Sequence, residues 1–312
     1  MTKLNKILGT KYSIIQGAMA NISNGEFAAN VSNAGGLGII ASGGMDDVYF
    51  REQIKIAKSL TDKPFGVNIM LLNPHADKLA KIVVEEKVSV VTTGAGSPAS
   101  YMVDWLAAGV KIFPVIASIA LAKRMEKLGA TGVIAEGTES GGHVGEITTM
   151  ALLPQIVNAV NIPVVAAGGI ASGEQYAAAI ALGACGIQIG TCLLVSEECP
   201  IHDNYKKEVI KARDISTIVT GRSLGAPVRV LKTPMSREYV KLEATITDKL
   251  ELEKLTLGSL RKAVVDGNFE EGSFMAGQVS GMLDEVRSLT TILSSLENDC
   301  VTTIKRINGW MD

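Results

Sequence analysis

The sequence predicts an α/β protein, a (β/α)8 TIM barrel carrying a smaller, mostly helical inserted domain. Eight short apolar runs rich in β-branched residues recur in the first 196 residues, with starts 24, 28, 23, 23, 21, 32 and 22 residues apart. Each interval fits one strand, one amphipathic helix and two loops. The runs lack alternating polar positions, as strands covered on both faces should, so the sheet is parallel. At 312 residues the chain exceeds the roughly 250 of a typical barrel, leaving room for an insertion.

In order, strand Ser13–Gln16 precedes helix Glu26–Asn33, Leu37–Ala41 precedes Asp47–Ser59, and Phe65–Ile69 precedes Pro74–Glu86. Val88–Thr92 is followed by Pro98–Ala107, Lys111–Val115 by Ser118–Leu128, and Gly132–Ala135 by Met150–Ala159. Strand Val164–Ala167, helix Gly173–Leu182 and strand Gly186–Ile189 complete the series. The texture changes near Glu197: 24 of the 32 glycines precede it, and charges then cluster, as in Lys206-Lys207-Glu208 and Asp248–Lys254. Residues 1–196 and 275–312 are therefore read as the barrel and 197–274 as a small substrate or lid domain. From Met275 to about Asn298, the residues Met282, Val286, Leu289, Leu293 and Leu296 keep helical spacing and predict a last helix returning to the barrel.

Hydrophobic residues make up 47% and charged residues 20%, which permits a large core and excludes a disordered chain. Thirty basic and thirty-two acidic residues give a net charge of −2 with no long run of either sign, arguing against nucleic acid as a partner. Cys185, Cys192, Cys199 and Cys300 form no C-x-x-C pair and read as free thiols of a reducing compartment. The uncharged stretches Ile147–Gly173 and Gln175–Ser196 are broken by prolines and glycines into buried helix-turn-strand units, so neither reads as a membrane span. The N-terminal MTKLNKILGTKY lacks an apolar signal core, and a cytoplasmic location is expected.

The functional face of such a barrel lies at the C-terminal ends of its strands. There the sequence places Gln16–Ala20, Ser42-Gly43-Gly44, Asn68, Thr93–Gly96, the ten residues Glu136–Gly145, Gly168-Gly169 and Gly190-Thr191. Turn chemistry alone accounts for glycine in any one of these loops. The pair after the seventh and eighth strands is harder to dismiss. Those loops are the usual phosphate site, where bare backbone N–H groups and a threonine hydroxyl meet phosphate oxygens.

Two glycine motifs are look-alikes. Gly36-Leu-Gly38-Ile-Ile-Ala41 leads from a helix into a strand, the reverse of a dinucleotide fingerprint, and Gly94-Ala-Gly96-Ser-Pro-Ala99 lacks an acidic partner at the end of the next strand. Of three histidines, His75 and His202 read as surface or capping residues. His143 lies in the glycine-rich loop after the sixth strand, where an imidazole can exchange a proton near neutral pH. Glu146 follows three residues on, but one histidine and one carboxylate do not complete a metal-ligand set.

The segments Ile14–Met19, Ala34–Gly38, Gly66–Asn68, Glu139–His143, Ala166–Ile170, Gln188–Thr191 and Met275–Gln278 follow in this order on successive strand ends. Together they resemble the flavin-dependent barrel family of enoyl-acyl-carrier-protein reductase II and the nitronate monooxygenases (2-nitropropane dioxygenases), over essentially the whole chain. The resemblance implies FMN at the barrel mouth: Ala18 and Met19 along the isoalloxazine, Asn68, Glu136 and Gly141 on its polar edges, and Gly168, Gly169, Gly190 and Thr191 around the phosphate, with Gln188 nearby. His143 matches the family's active-site histidine.

The resemblance also implies a homodimer, NADH or NADPH as co-substrate and an acyl carrier protein bearing the enoyl thioester. In the reductase branch it implies activation by a monovalent cation, for which no ligand set can be read. Glu136 stands where the monooxygenases usually carry Gln. With the loop Glu136–His143, and Thr220-Gly221-Arg222 followed by Gly225–Arg229, it favours reduction of trans-2-enoyl thioesters, the final reductive step of fatty acid elongation, over nitronate oxidation. A flavin-free phosphosugar isomerase or lyase is the alternative of another class. Lys206, Lys207, Lys211 and Arg213 read either as a meeting surface for an acidic carrier protein or, more simply, as a solvated helix face.

Overall fold

The computed structural model describes residues 2–245 and 249–310; Met1, the Asp248 end of the charged run, and residues 311 and 312 of the barrel assignment lie outside them. Eight parallel strands build the barrel: β1 (Ile14–Gln16), β2 (Gly38–Ala41), β3 (Phe65–Met70), β4 (Val90–Gly94), β5 (Lys111–Ile116), β6 (Val133–Glu136), β8 (Val164–Ala167) and β9 (Gly186–Ile189), while β7 (Gly142–His143) lies outside the ring. Each barrel strand pairs with the next from β2 to β9, and β9 pairs with β1. The ring closes where Ile15 bridges Leu37 beside β2. The eight apolar runs are these strands, and the seven intervening helices are present. The helix predicted from Pro98 begins only at Met102, because the residues before it make a turn in which the Tyr101 N–H donates to the Pro98 carbonyl.

Alternation along each strand divides the core. Outward side chains such as Ile14, Ile40, Val67, Val91 and Ile187 pack beneath the helices. Inward ones, Ile15, Ile39, Val90, Phe113, Ile134 and Val165, fill the barrel. Leu4 and Leu8 of the short helix Leu4–Leu8 join this inner cluster, and the Leu4 N–H donates to the Cys185 carbonyl just before β9. That contact plugs the N-terminal end. Gly38 opens β2 where a Cβ would lie 1.8 Å from the Ala28 carbonyl oxygen, so glycine there sets a close helix–strand approach and has no nucleotide role.

Helices Asp203–Ile210, Pro234–Glu243, Lys249–Thr256 and Ser259–Asp266 make up most of the regular structure between 197 and 274. The segment also contains an antiparallel hairpin, β10 (Thr217–Thr220) and β11 (Val228–Leu231), whose free edge pairs with β7. Two sequence expectations need correction. The spacing from Met275 does not give one helix: Gln278–Met282 is a 3-10 turn, Met282 and Val286 are 52% and 40% exposed, and the last helix is Leu289–Asn308. Lys206 is not on a solvated face: it is buried, and its ammonium donates to the carbonyls of Ser196 at 2.7 Å and Glu197 at 3.2 Å.

His75 and His202 occupy helix N-cap positions, and His202 Nδ1 accepts the Asn204 N–H at 3.0 Å. The four cysteines are free and buried, and burial pushes the Cys192 thiol up to about 12, which leaves it unreactive. Among the described residues no helix is long and apolar enough to cross a membrane.

Candidate functional site

One step beyond the apolar filling, toward the C-terminal strand ends, the inward positions become polar: Asn68 on β3, Thr92 on β4, Glu136 on β6 and Gln188 on β9. Asn68 Nδ2 donates to Thr92 Oγ1 at 2.9 Å on one wall. On the other, Glu136, Ala167 and Gln188 share a rung, so carboxyl and amide stand two strand spacings apart, roughly 10 Å. Glu136 and Asn68 are therefore not neighbours; they flank the mouth from strands separated by β4 and β5.

Burial of the Glu136 carboxyl raises it from 4.5 to about 7, with the nearby Ser140 hydroxyl opposing the shift. Because the folded value is raised, Glu136 favours the fold fully below about pH 4.5, and that contribution is lost as pH rises through about 7. The flavin-free protein is expected to lose on the order of 1–3 kcal/mol of stability across that window. Glu136→Gln should remove this dependence, which chemical denaturation at a series of pH values measures; an unchanged pH profile in the variant would assign the dependence elsewhere.

The loop after β6 is held from several sides. The Glu139 carboxylate accepts the Thr149 N–H at 2.9 Å and the Thr149 hydroxyl at 3.0 Å, at the start of helix Thr149–Val157, where a negative charge is favourable. The Glu139 carbonyl accepts the Gln278 N–H at 2.9 Å, and Arg229 Nε donates to the Thr138 carbonyl at 3.1 Å. Gly142 and His143 form β7, opposite Arg229 and Val228.

His143 is exposed at the mouth, and its ring makes no hydrogen bond among the described residues. Partial desolvation by the surrounding protein lowers its pKa, which favours the neutral imidazole with one N–H donor and one acceptor. Glu146 pairs with Arg222 Nη1 at 2.6 Å and does not join His143. No group of three His, Cys, Asp or Glu side chains among the described residues is arranged to hold a metal ion.

On the adjacent strands, Gly168 and Gly169 adopt φ of +87° and +74°, a conformation side chains disfavour. A Cβ on Gly168 would lie 2.7 Å from the Gly137 carbonyl oxygen, and one on Gly169 would lie 3.2 Å from Glu139 Cβ. Gly190 sits beside Met19, whose Sδ is 3.8 Å from where a Cβ would be. Met19 is steadied by its N–H donating to Ser23 Oγ at 3.1 Å, and Ala18 next to it is half-buried. Thr191 Oγ1 accepts the Gly277 N–H at 2.9 Å, and Gly141 packs against Ala276 so closely that a Cβ would lie 2.7 Å from the Ala276 carbonyl carbon.

Ala18, Met19, Gly141, Gly168, Gly169, Gly190 and Thr191 thus gather on one side of the mouth. Among the described residues no acceptor is found for the N–H groups of Gly169, Ile170, Gly190 and Thr191, and the buried Ser140 hydroxyl lacks a hydrogen bond of full geometry. Unpaired amides on two neighbouring loops just beyond a polar layer fit a phosphorylated, polar-edged ring system such as FMN. Among the residues that shape the site, Glu139, Thr149, Arg229 and Met275 are not among the sequence-derived site residues. Met275 lies beside Gly142, its Sδ 3.7 Å from where a Cβ on that glycine would be. Glu139, Arg229 and Met275 fall within the quoted motifs, which was the only signal available for them.

A profile of the nitronate monooxygenase family matches residues 1–81 and 74–299. The chain is 32% identical, over 99% of its length and 97% of the relative's, to a (3aS,4S,5R,7aS)-5-hydroxy-7a-methyl-1-oxo-octahydro-1H-indene-4-carboxyl-CoA dehydrogenase of Rhodococcus jostii (strain RHA1). It superposes on FabK from Thermotoga maritima with a TM-score of 0.97 and 45% identity, covering 99% of each chain. It superposes on a nitroalkane oxidase from Streptomyces ansochromogenes with a TM-score of 0.88 and 26% identity, covering 97% of this chain and 99% of the other. Fold, glycine-lined mouth and family profile agree: the chain belongs to the nitronate monooxygenase family of flavin-dependent oxidoreductase barrels.

Proposed function

We propose that this protein reduces trans-2-enoyl thioesters carried on acyl carrier protein, using NADH or NADPH, with FMN held at the barrel mouth. The 45% identity to FabK over 99% of each chain, against 26% to the nitroalkane oxidase, carries this reading. Desolvation at His143 favours the neutral imidazole, whose N–H suits an uncharged thioester carbonyl. The buried guanidinium nearby, Arg229, is directed at the Thr138 carbonyl and the Thr217 hydroxyl.

When bound, FMN supplies hydride transfer from the nicotinamide to the β-carbon of the enoyl thioester. Ala18 and Met19 line the ring, Asn68, Glu136 and Gly141 hold its polar edges, and Gly168, Gly169, Gly190 and Thr191 receive the phosphate, with Gln188 completing the floor. His143 sits against the thioester and, after taking up a proton from solvent, gives it as the imidazolium to the α-carbon once hydride has reached the β-carbon, returning to the neutral imidazole. Residues 197–274 form a wall that excludes water from the transfer.

Crotonyl thioester mixed with each nicotinamide under nitrogen tests the reading. Enoyl-dependent nicotinamide consumption by a yellow protein is expected. Nitronate-dependent oxygen uptake without enoyl turnover would transfer the protein to the oxidase branch, and a colourless protein would remove the flavin.

A further inference from the structure

Four cations from separate parts of the chain converge on one cavity of about 300 Å³ at the open end of the β10–β11 hairpin, where the Lys232 N–H donates to the Ser216 carbonyl: Lys211 and Arg213 after helix Asp203–Ile210, Lys232 at the end of β11, and Arg237 in helix Pro234–Glu243. Among the described residues Glu208 is the one carboxylate in the lining, and Lys211 Nζ already holds it at 2.7 Å. Arg213, Lys232 and Arg237 have no ion-pair partner among the described residues. Three uncompensated cations in one concavity, in a chain of net charge −2, concentrate positive potential where walls of low dielectric focus it. Phe269 and the 72% exposed Ile215 give the same cavity an apolar side. The site therefore suits an anion attached to a less polar body.

Its position narrows the ligand. β11 begins at Val228, opposite His143, and ends at Leu231 in the cavity wall, so the backbone beside the histidine and the backbone at the cavity are about 10 Å apart along one strand, with the side chains reaching further. A ligand that uses both ends must carry a reactive acyl group at one end of a long arm and an anion at the other. We propose that this cavity receives the phosphate of the pantetheine arm that delivers the thioester, an inference that rests on the enoyl-thioester reading above. Of the sequence run Lys206, Lys207, Lys211 and Arg213, only Lys211 and Arg213 line it. Their partners Lys232 and Arg237 come from segments that no linear pattern connected.

The test compares crotonyl thioesters of N-acetylcysteamine, which has no phosphate, with those of phosphopantetheine, coenzyme A and acyl carrier protein, on the FMN-loaded protein and on its Lys232→Ala/Arg237→Ala variant. Loss of charge-assisted contacts should raise KM about tenfold or more for the three phosphate-bearing substrates, with kcat within about twofold. KM for the N-acetylcysteamine thioester and for the nicotinamide should stay the same. A uniform rise that includes N-acetylcysteamine, a rise for the nicotinamide instead, or no change would overturn the proposal. So would a rise confined to the carrier protein, which would make the cations a docking face for its acidic surface. If no thioester is reduced at all, calorimetry with phosphopantetheine alone judges the cavity independently: binding lost in the variant upholds it, and no binding to either form refutes it.

Discussion

Replacing His143 by Ala is expected to abolish enoyl turnover while leaving the protein yellow. Positioned proton transfer contributes roughly 10²–10⁴-fold to a rate, and no second imidazole stands at the mouth to take over, His75 and His202 being helix caps. The fold should tolerate the change. The ring makes no hydrogen bond among the described residues, and β7 is held through backbone pairing with β11, which alanine preserves. Flavin content, melting temperature and nicotinamide-dependent flavin reduction should therefore match the parent, with only the enoyl half-reaction lost. Added imidazole should restore part of it. Full activity in the variant would remove the proton-transfer role.

Gly168→Ala is expected to strip the flavin. Its φ of +87° imposes strain on the order of 1–2 kcal/mol on any side chain, and the new Cβ would lie 2.7 Å from the Gly137 carbonyl oxygen. Relief requires the loop that carries Glu136, Glu139 and Gly141 to move away from β8, spreading the candidate phosphate cradle. Gly44→Ala is the control, because Gly44 has φ of +81° but nothing within 4 Å of its Cβ position. Both variants carry the backbone strain, and only Gly168→Ala carries the clash. Absorbance at the flavin band after gel filtration reads the outcome: a colourless Gly168→Ala beside a yellow Gly44→Ala is expected. Equal retention in the two would show that the β8 loop does not shape the flavin site.

The barrel was legible because each strand is buried on both faces and writes itself as a continuous apolar run, as in Val-Val-Ala-Ala of β8. The ring of glycines at the strand ends was legible for the same reason, since a glycine after such a run marks a turn on a known face. β7, β10 and β11 were not. They are two to four residues long, and their pairing partners lie far away in sequence: Gly142 finds Arg229. The grip of Glu139 on Thr149 and of Arg229 on Thr138 exists only once that register is set. The Met282 and Val286 spacing misled because periodicity reports a repeat, whereas burial depends on what packs opposite. Lys206 misled because a lysine stem is long enough to bring its ammonium to buried carbonyls.

The pairing of β7 with β11 bears on how this enzyme class can diversify or be re-engineered. The loop bearing His143 belongs in sequence to the barrel but in hydrogen bonding to the hairpin, so the two are not separable modules. Grafting residues 197–274 from a relative would bring a foreign edge strand to Gly142 and His143 and reset the position of the histidine. The smallest transferable unit is the hairpin together with residues 136–145, and a chimera that exchanges the hairpin alone should misplace His143 and lose turnover.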